Sequence, residues 1–355
     1  MKVAIVAAAC SPHTVKWANA LAKRGERVTV FSLPEDKAQD AGFLPEVSVN
    51  LLGIPQAAGG IKKNGAELKK LLHAGGFDAV NAIGALDYGL MAIGAGKNVL
   101  VTILGPDITS VLAGGPKGVL KKVIKTAAAI VCPSAVCMQK VRCFYKKPKE
   151  VFVAAPGVDI YAFDAKEGAK DADLFTFGCI KCLEYSSGID VLIESYAKVK
   201  AKYTGKTQLK IFGRGSMEAA LKKQVADAGL SDEVHFMGHV PHAQMPEEIN
   251  KMDVVLNTSR SEVFGVSTVE AMACKVPVIA TDTEGSSEII LNGVTGLTVK
   301  IGNTEAIAGR MLECLEDREL ISKMGAKARG DVVDLYEING CTEKYIKALG
   351  FVQNK

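Results

Sequence analysis

Short apolar runs alternate along the chain with longer stretches whose apolar residues recur at helical spacing. The first half reads "KVAIVAA", "RVTVFSL", "AVNAIG", "VLVTILG", "AAIVCPS" and "EVFVAAPG". Each is followed by a turn residue or by an amphipathic run such as "HTVKWANALAKRG", closed by Gly25. Apolar runs without polar alternation are strands buried on both faces, and the helical runs between them are crossovers. The pattern predicts a mostly parallel sheet with helices on both sides. It pauses over residues 156–170, "PGVDIYAFDAKEGAK", then restarts with "DLFTFGCI", "QLKIFGRG", "EVHFMGHV", "MDVVLNTS", "VPVIATD" and "TGLTVK". The expectation is an α/β chain of two Rossmann-like doubly wound domains, residues 1–158 and 159–330, linked near 157–170. A C-terminal helical segment, 331–355, is expected to return to the first domain. Such sheets bind ligands beyond the carboxyl ends of their strands, so two of them face to face frame a central cleft.

The 355 residues exceed one ordinary core, and 48% hydrophobic with 23% charged residues describes a soluble globular protein. No apolar run approaches the ~20 residues of a bilayer-crossing helix. The opening "MKVAIVAAACSPHTVKW" has too short an apolar run for a secretory leader and passes directly into a helical pattern, so it reads as a core strand. Nine scattered cysteines suit free thiols in a reducing cytosol. Cys179 and Cys182 form one C-x-x-C without a second pair, which does not make a zinc site. The net charge of +4 comes without interleaved basic and aromatic residues, so no nucleic-acid partner is expected.

The first strand is not followed by G-x-G-x-x-G, which excludes a dehydrogenase-type dinucleotide fingerprint. Gly213 and Gly215 follow the strand "LKIF". Such a lone G-x-G is either a phosphate turn or only a tight strand-to-helix connection. Most of the candidate chemistry falls in residues 259–290, "SRSEVFGVSTVEAMACKVPVIATDTEGSSEII". Ser267 and Glu270 fit a capping box, with Ser267 as N-cap and Glu270 at the third helical position. Glu262 is then only a loop residue. The same helix start also aims free N–H groups and a positive dipole end into the loop, and Gly265 lets backbone approach a ligand closely. A phosphate fits there. Glu262 would lie beside whatever hangs from it, and Glu270 could accept from vicinal hydroxyls. Phosphate with hydroxyls on either side describes a nucleotide sugar.

The run from Glu262 to Glu270 resembles the E-x7-E signature of retaining glycosyltransferases of family 4, which have the GT-B fold. The likeness extends through "DVVLNTSRSEVFGVSTVEAMACKVPVIATDTEGSSEIILNGVTGLTV", "APGVDIYAF", "FGCIKCLEYSSGIDVLIESY", "VHFMGHVPHAQMP" and, in the first domain, "SPHTVKWANALAKRG" and "LGPDITS". The resemblance implies transfer of a sugar from a nucleoside diphosphate to an acceptor hydroxyl with retained anomeric configuration, uridine donors being the common default. It implies that Glu262 holds the donor sugar and stabilises its oxocarbenium-like transition state. Glu270 would bind the ribose diol. Phe264, Gly265 and Val266 would offer backbone N–H groups, and Gly238, His239 and Val240 would border the base. His13 and Asp107 would orient the acceptor hydroxyl. No dedicated base is implied, because a donor phosphate oxygen takes the acceptor's proton.

The family's basic diphosphate ligands are not all matched. Cys179 stands at the nearest Arg position, Ser186 and Ser187 precede Gly188, and Lys181 is the only basic residue in that loop. Lys181 is assigned to the diphosphate, with Arg214 or Arg260 as candidates for the vacancy. Asp171 and Asp173 form a D-x-D, read as a solvated turn, and no essential metal or other cofactor is expected. A nucleotide-sugar epimerase and a catalytically silent nucleotide-sugar-binding protein remain as alternatives. A phosphorylase would need a pyridoxal-phosphate lysine, for which no motif is visible. The expected partners are a nucleotide sugar and a glycan or lipid-linked acceptor. Residues 116–150 add a membrane reading. Lys117, Lys121, Lys122 and Lys125 interleave with Val119, Leu120, Val123 and Ile124, and "KVRCFYKKPKE" follows. Either these helices bury their apolar faces, or they dock weakly on an anionic membrane. The expected location is cytoplasmic, peripheral at the inner face of the membrane.

Overall fold

The computed structural model describes residues 1–37, 42–96, 98–145 and 149–354. The chain forms two compact units, residues 1–157 with 338–355, and residues 158–337. In unit 1 a seven-stranded, all-parallel sheet runs in the order β3-β2-β1-β4-β5-β6-β7. The strands are β1 (Lys2–Val6), β2 (Arg27–Ser32), β3 (Ser48–Leu51), β4 (Ala79–Ile83), β5 (Val99–Thr102), β6 (Ala129–Cys132) and β7 (Val151–Val153). The helices between them are α1 (Pro12–Lys23), α2 (Gly60–Lys63), α3 (Gly65–Gly75), α4 (Leu90–Ala95), α5 (Gly105–Leu112), α6 (Lys117–Thr126) and α7 (Ala135–Phe144). Strands such as β5 and β6 are buried at every position, which is why they read as unbroken apolar runs.

Unit 2 has a six-stranded parallel sheet in the order β10-β9-β8-β11-β12-β13. Its strands are β8 (Phe175–Ile180), β9 (Thr207–Phe212), β10 (Val234–Gly238), β11 (Val254–Asn257), β12 (Val278–Thr281) and β13 (Leu297–Val299). Its helices are α8 (Ile189–Lys200), α9 (Glu218–Asp227), α10 (Met245–Asn250), α11 (Val266–Ala273), α12 (Glu284–Ile289), α13 (Thr304–Glu316) and α14 (Arg318–Leu335). Helix α15 (Ile338–Gln353) then belongs to unit 1. The break falls after 337 and not at 330, because α14 continues through Leu335 within unit 2. Tyr345 of α15 is fully buried, its ring 4.2 Å from that of Trp17 and its hydroxyl accepting from Asn81 Nδ2 at 2.5 Å.

On α6, Leu120, Val123 and Ile124 lie in the core while Lys117, Lys121, Lys122 and Lys125 are exposed. The apolar face is therefore used inside unit 1, and this helix has none to give a membrane. In the second basic segment, residues 146–148 lie outside the described residues. No helix among the described residues is long and apolar enough to cross a membrane.

Candidate active site

The candidate site lies at the carboxyl ends of β8, β10, β11 and β12 in unit 2. Lys181 is the first residue past β8. Its backbone N–H donates to Phe212 O at 3.0 Å, and its Nζ is ion-paired to the Glu262 carboxylate, both side chains being largely buried. The G-x-G turn explains how that loop is held. Gly213 has φ +137°, and a Cβ there would stand 2.0 Å from Lys181 O; one on Gly215 would stand 2.4 Å from Leu183 O. Both glycines are needed because turn 213–215 lies flat on the backbone of 181–183. The reciprocal bonds Leu183 N–H to Arg214 O (2.9 Å) and Met217 N–H to Leu183 O (2.9 Å) close it. The Arg214 side chain is exposed above this turn, close to Gly238.

The loop after β11 carries Glu262. It is pinned by a buried polar network. Thr258 Oγ1 donates to Gly188 O (2.9 Å), Ser259 Oγ to Asn257 Oδ1 (2.7 Å), and Thr281 Oγ1 to Ser259 O (2.6 Å). The first turn of α12 supports the next residues. Gly285 N–H donates to Glu262 O at 3.1 Å, and a Cβ on Gly285 would meet Phe264 N at 2.6 Å. The Phe264 ring is buried against Tyr336, 5.6 Å between centroids. Glu262 thus hangs from a backbone with little freedom.

Gly265, at φ +129°, is the N-cap of α11, and Val266 is its first residue. This corrects the expected cap: the helix starts one residue before Ser267 can serve, so Glu270 lies beyond the capping position. Glu270 is instead buried, and its Oε1 meets His242 Nε2 at 2.7 Å. The His242 ring packs on Phe163, 5.3 Å between centroids. His242 was missed in the sequence. It lies two residues past the 238–240 stretch assigned to the base, in the "VPHAQMP" run. Gly238 ends β10 at φ +69°, His239 is exposed and Val240 half-buried.

The vacancy at Cys179 has a packing reason, and one candidate for the missing cation, Arg260, is engaged elsewhere. Cys179 points into the core of unit 2, where burial raises its thiol to about 12, so the position has no access to a phosphate. Arg260 makes two bonds to Asp190, at 2.8 and 2.7 Å, donates to Tyr185 O at 2.7 Å and stacks on the Tyr185 ring. Its guanidinium holds the Asp190 carboxyl below the usual carboxylate range. Arg260 is a structural clamp on the start of α8. Lys181 and Arg214 remain.

In unit 1, His13 is half-buried in the first turn of α1. Asp107 is buried in the first turn of α5, accepting from Leu104 N–H (2.8 Å) and Leu86 N–H (3.1 Å). Burial raises its carboxyl, and these backbone donors pull the other way. The geometry makes Asp107 a brace between α5 and the start of the π-helical turn Ala85–Gly89. Asp171 and Asp173 are exposed, with Asp173 N–H donating to Asp171 Oδ1 (2.9 Å). Among the described residues no group of three His, Cys, Asp or Glu side chains is placed to hold a metal ion.

Two doubly wound parallel-sheet units on one chain define the GT-B class of fold. A family model for glycosyl transferases group 1 matches residues 162–331, and one for glycosyltransferase family 4 matches residues 11–161. The chain belongs to glycosyltransferase family 4. It is 29% identical over 210 residues to the lipopolysaccharide core biosynthesis mannosyltransferase LpcC of Rhizobium leguminosarum, covering 56% of this chain and 58% of that one. It is 30% identical over 154 residues to the N-acetyl-alpha-D-glucosaminyl L-malate synthase of Bacillus anthracis, covering 43% and 39%. The matches thus span 58% or less of these relatives' own lengths. Among solved structures, Anabaena HepE in complex with UDP-glucose shares the fold at a TM-score of 0.82 and 19% identity, over 99% of both chains. Sucrose-phosphate synthase from Thermosynechococcus elongatus does so at 0.79 and 20%, over 98% of both.

Proposed function

We propose that the chain is a retaining glycosyltransferase moving a sugar from a nucleoside diphosphate, uridine favoured, to an acceptor hydroxyl. The acceptor would be a polysaccharide, glycolipid or lipid-linked glycan, and the work cytoplasmic. The observation that carries this is the Lys181–Glu262 pair held beside the start of α11, with buried Glu270 close by in the same helix. As the anomeric carbon leaves the diphosphate, positive charge grows on the sugar ring and negative charge on the phosphate oxygens. Glu262 faces the first, and Lys181 with the N–H groups at the α11 terminus faces the second. Fixed charges of this kind act on the transition state more than on the ground state. The acceptor oxygen bonds to the anomeric carbon from the face the diphosphate leaves, and its proton goes to the departing phosphate oxygen. In the free protein Lys181 neutralises Glu262; a bound diphosphate gives it a second anionic partner.

Purified protein is expected to be stabilised by UDP and UDP-sugars in a panel of nucleoside diphosphates; a ligand at about 100 times its Kd adds about 2.7 kcal/mol, a readable thermal shift. Transfer to an acceptor with retained configuration should follow. Binding without transfer or donor hydrolysis favours the silent binding protein, and interconverted donor favours the epimerase. EDTA is expected to leave the rate within about twofold, since no catalytic role is assigned to a metal. A full loss restored by Mn²⁺ overturns that part.

Glu270→Gln is expected to weaken donor binding about tenfold while kcat changes little, because a ribose contact is the same in ground and transition states. Calorimetric titration with the nucleoside diphosphate checks it. Unaltered affinity would assign Glu270 to holding His242 only.

A further inference from the structure

Glu270 is a carboxylate buried in α11, and burying a charge is costly unless it is paired and hydrogen-bonded. Its Oε1 meets His242 Nε2 at 2.7 Å. An ionised carboxylate only accepts, so the proton of this bond is carried on Nε2. His242 opens the 3-10 turn His242–Gln244 that leads into α10, and lies 28 positions before Glu270 in the chain. A third segment, residues 160–166 at the start of unit 2, seats the ring. The imidazole packs there on the buried Phe163.

These segments are also tied to one another away from the ring. Arg329 of α14 donates to Phe163 O (2.8 Å), to Ile160 O (3.0 Å) and to the carbonyl of Ala273, the last residue of α11. One guanidinium thus fastens the seat of His242 to the helix that carries Glu270. Asn250, the last residue of α10, donates to Asp164 O (2.8 Å) and accepts from Lys166 N–H (2.7 Å). That fastens the same stretch to the helix behind His242. The imidazole therefore reaches Glu270 from a fixed seat, although its own side chain stays 43% exposed.

We propose that His242 is a positioning residue of the donor site: it fixes the Glu270 carboxylate in the orientation that takes the ribose diol, and so sets the preference for a ribonucleotide over its 2′-deoxy form. The inference rests on the transferase reading, in which Glu270 binds that diol. A glutamate side chain is long and rich in rotamers, and a rigid ring holding one of its oxygens removes much of that freedom before the nucleotide arrives. The ligand then has less order to impose, which strengthens binding. Ring packing and the N–H donor can be separated. Phenylalanine keeps the first and lacks the second, whereas glutamine keeps an N–H donor at similar reach and lacks the ring.

The test is calorimetric titration with UDP and GDP, each beside its 2′-deoxy counterpart. Wild-type protein is expected to favour the ribonucleotide about tenfold, the scale of one hydrogen bond to a charged group. His242→Phe should weaken the ribonucleotide about tenfold and leave the 2′-deoxy form within about twofold, which abolishes the preference. His242→Gln should keep at least about a third of the ribonucleotide affinity. Glu270→Gln combined with His242→Phe should bind the ribonucleotide within about twofold of the weaker single variant, because the two residues act as one unit. Equal weakening of both forms by His242→Phe would mean that the ring only shapes its loop. Unchanged preference in that variant would mean that Glu270 is oriented without it. Either result overturns the inference. Should His242→Phe fail to fold, His242→Gln against His242→Ala carries the same comparison: the first is expected to keep the preference and the second to lose it. Wild-type protein that binds neither UDP nor GDP overturns the transferase reading and this inference together. Wild-type protein that binds the ribonucleotide and its 2′-deoxy form equally overturns this inference alone.

Discussion

Glu262→Gln is expected to lower kcat about a thousandfold, the scale of losing one preorganised electrostatic group at a reacting centre. Only the charge changes. Gln keeps the shape, its Oε1 still accepts from Lys181 Nζ, and its backbone remains held by Gly285 and the 257–259 network. The stability cost should stay within about 3 kcal/mol, since the pair is largely buried but the Gln amide still accepts from the lysine. Lys181→Met should lower kcat about a hundredfold, by removing the cation on the leaving diphosphate. The double variant should lose less than the product of the two, because the pair acts as one unit. Turnover of the Gln variant near the wild-type rate would remove Glu262 from the mechanism.

Gly213→Ala is expected to cost about 3 kcal/mol or more, through a clash and a forbidden backbone region together. The new Cβ would stand 2.0 Å from a carbonyl oxygen, and at φ +137° the backbone admits little besides glycine. At that cost unit 2 should melt roughly 6–12 °C lower. The displaced carbonyl is that of Lys181, so donor affinity should fall with stability. Gly229→Ala is the control. Gly229 also has positive φ, +67°, but nothing lies within 4 Å of its would-be Cβ, so about 1 kcal/mol is expected. Equal melting losses in the two variants would mean that the loop yields and that Gly213 is not its support.

Most strands were legible because burial on both faces leaves an unbroken apolar run; the edge strand β3, exposed at all four positions, left no such run and was missed. Glu262 and Lys181 were legible from a local pattern, each being one loop away from a strand end. What failed was side-chain direction and partner choice. Arg260 looks available in sequence, but its partner Asp190 is 70 residues away in the chain. Cys179 and Lys181 differ by two positions, yet one faces the core and the other the loop, because the strand ends between them. His242 gave no signal, since a lone histidine in a polar loop shows nothing of the buried carboxylate it meets. The cap of α11 was misplaced by two residues because Ser267 has the right chemistry, while Gly265 has the backbone freedom the turn needs.

The return of α15 has a consequence for how the molecule is made. Unit 2 is, in effect, an insertion within unit 1, since residues 158–337 leave the ribosome before the last helix of the first unit exists. Until α15 is synthesised, the Trp17 ring lacks the ring it stacks on, and the Asn81 amide in β4 lacks the Tyr345 hydroxyl. Unit 2 has all its strands in continuous sequence and can close vectorially. The unit begun first is therefore completed last, and its sheet, with every strand made but α15 still lacking, is the stretch of nascent chain in need of protection from aggregation.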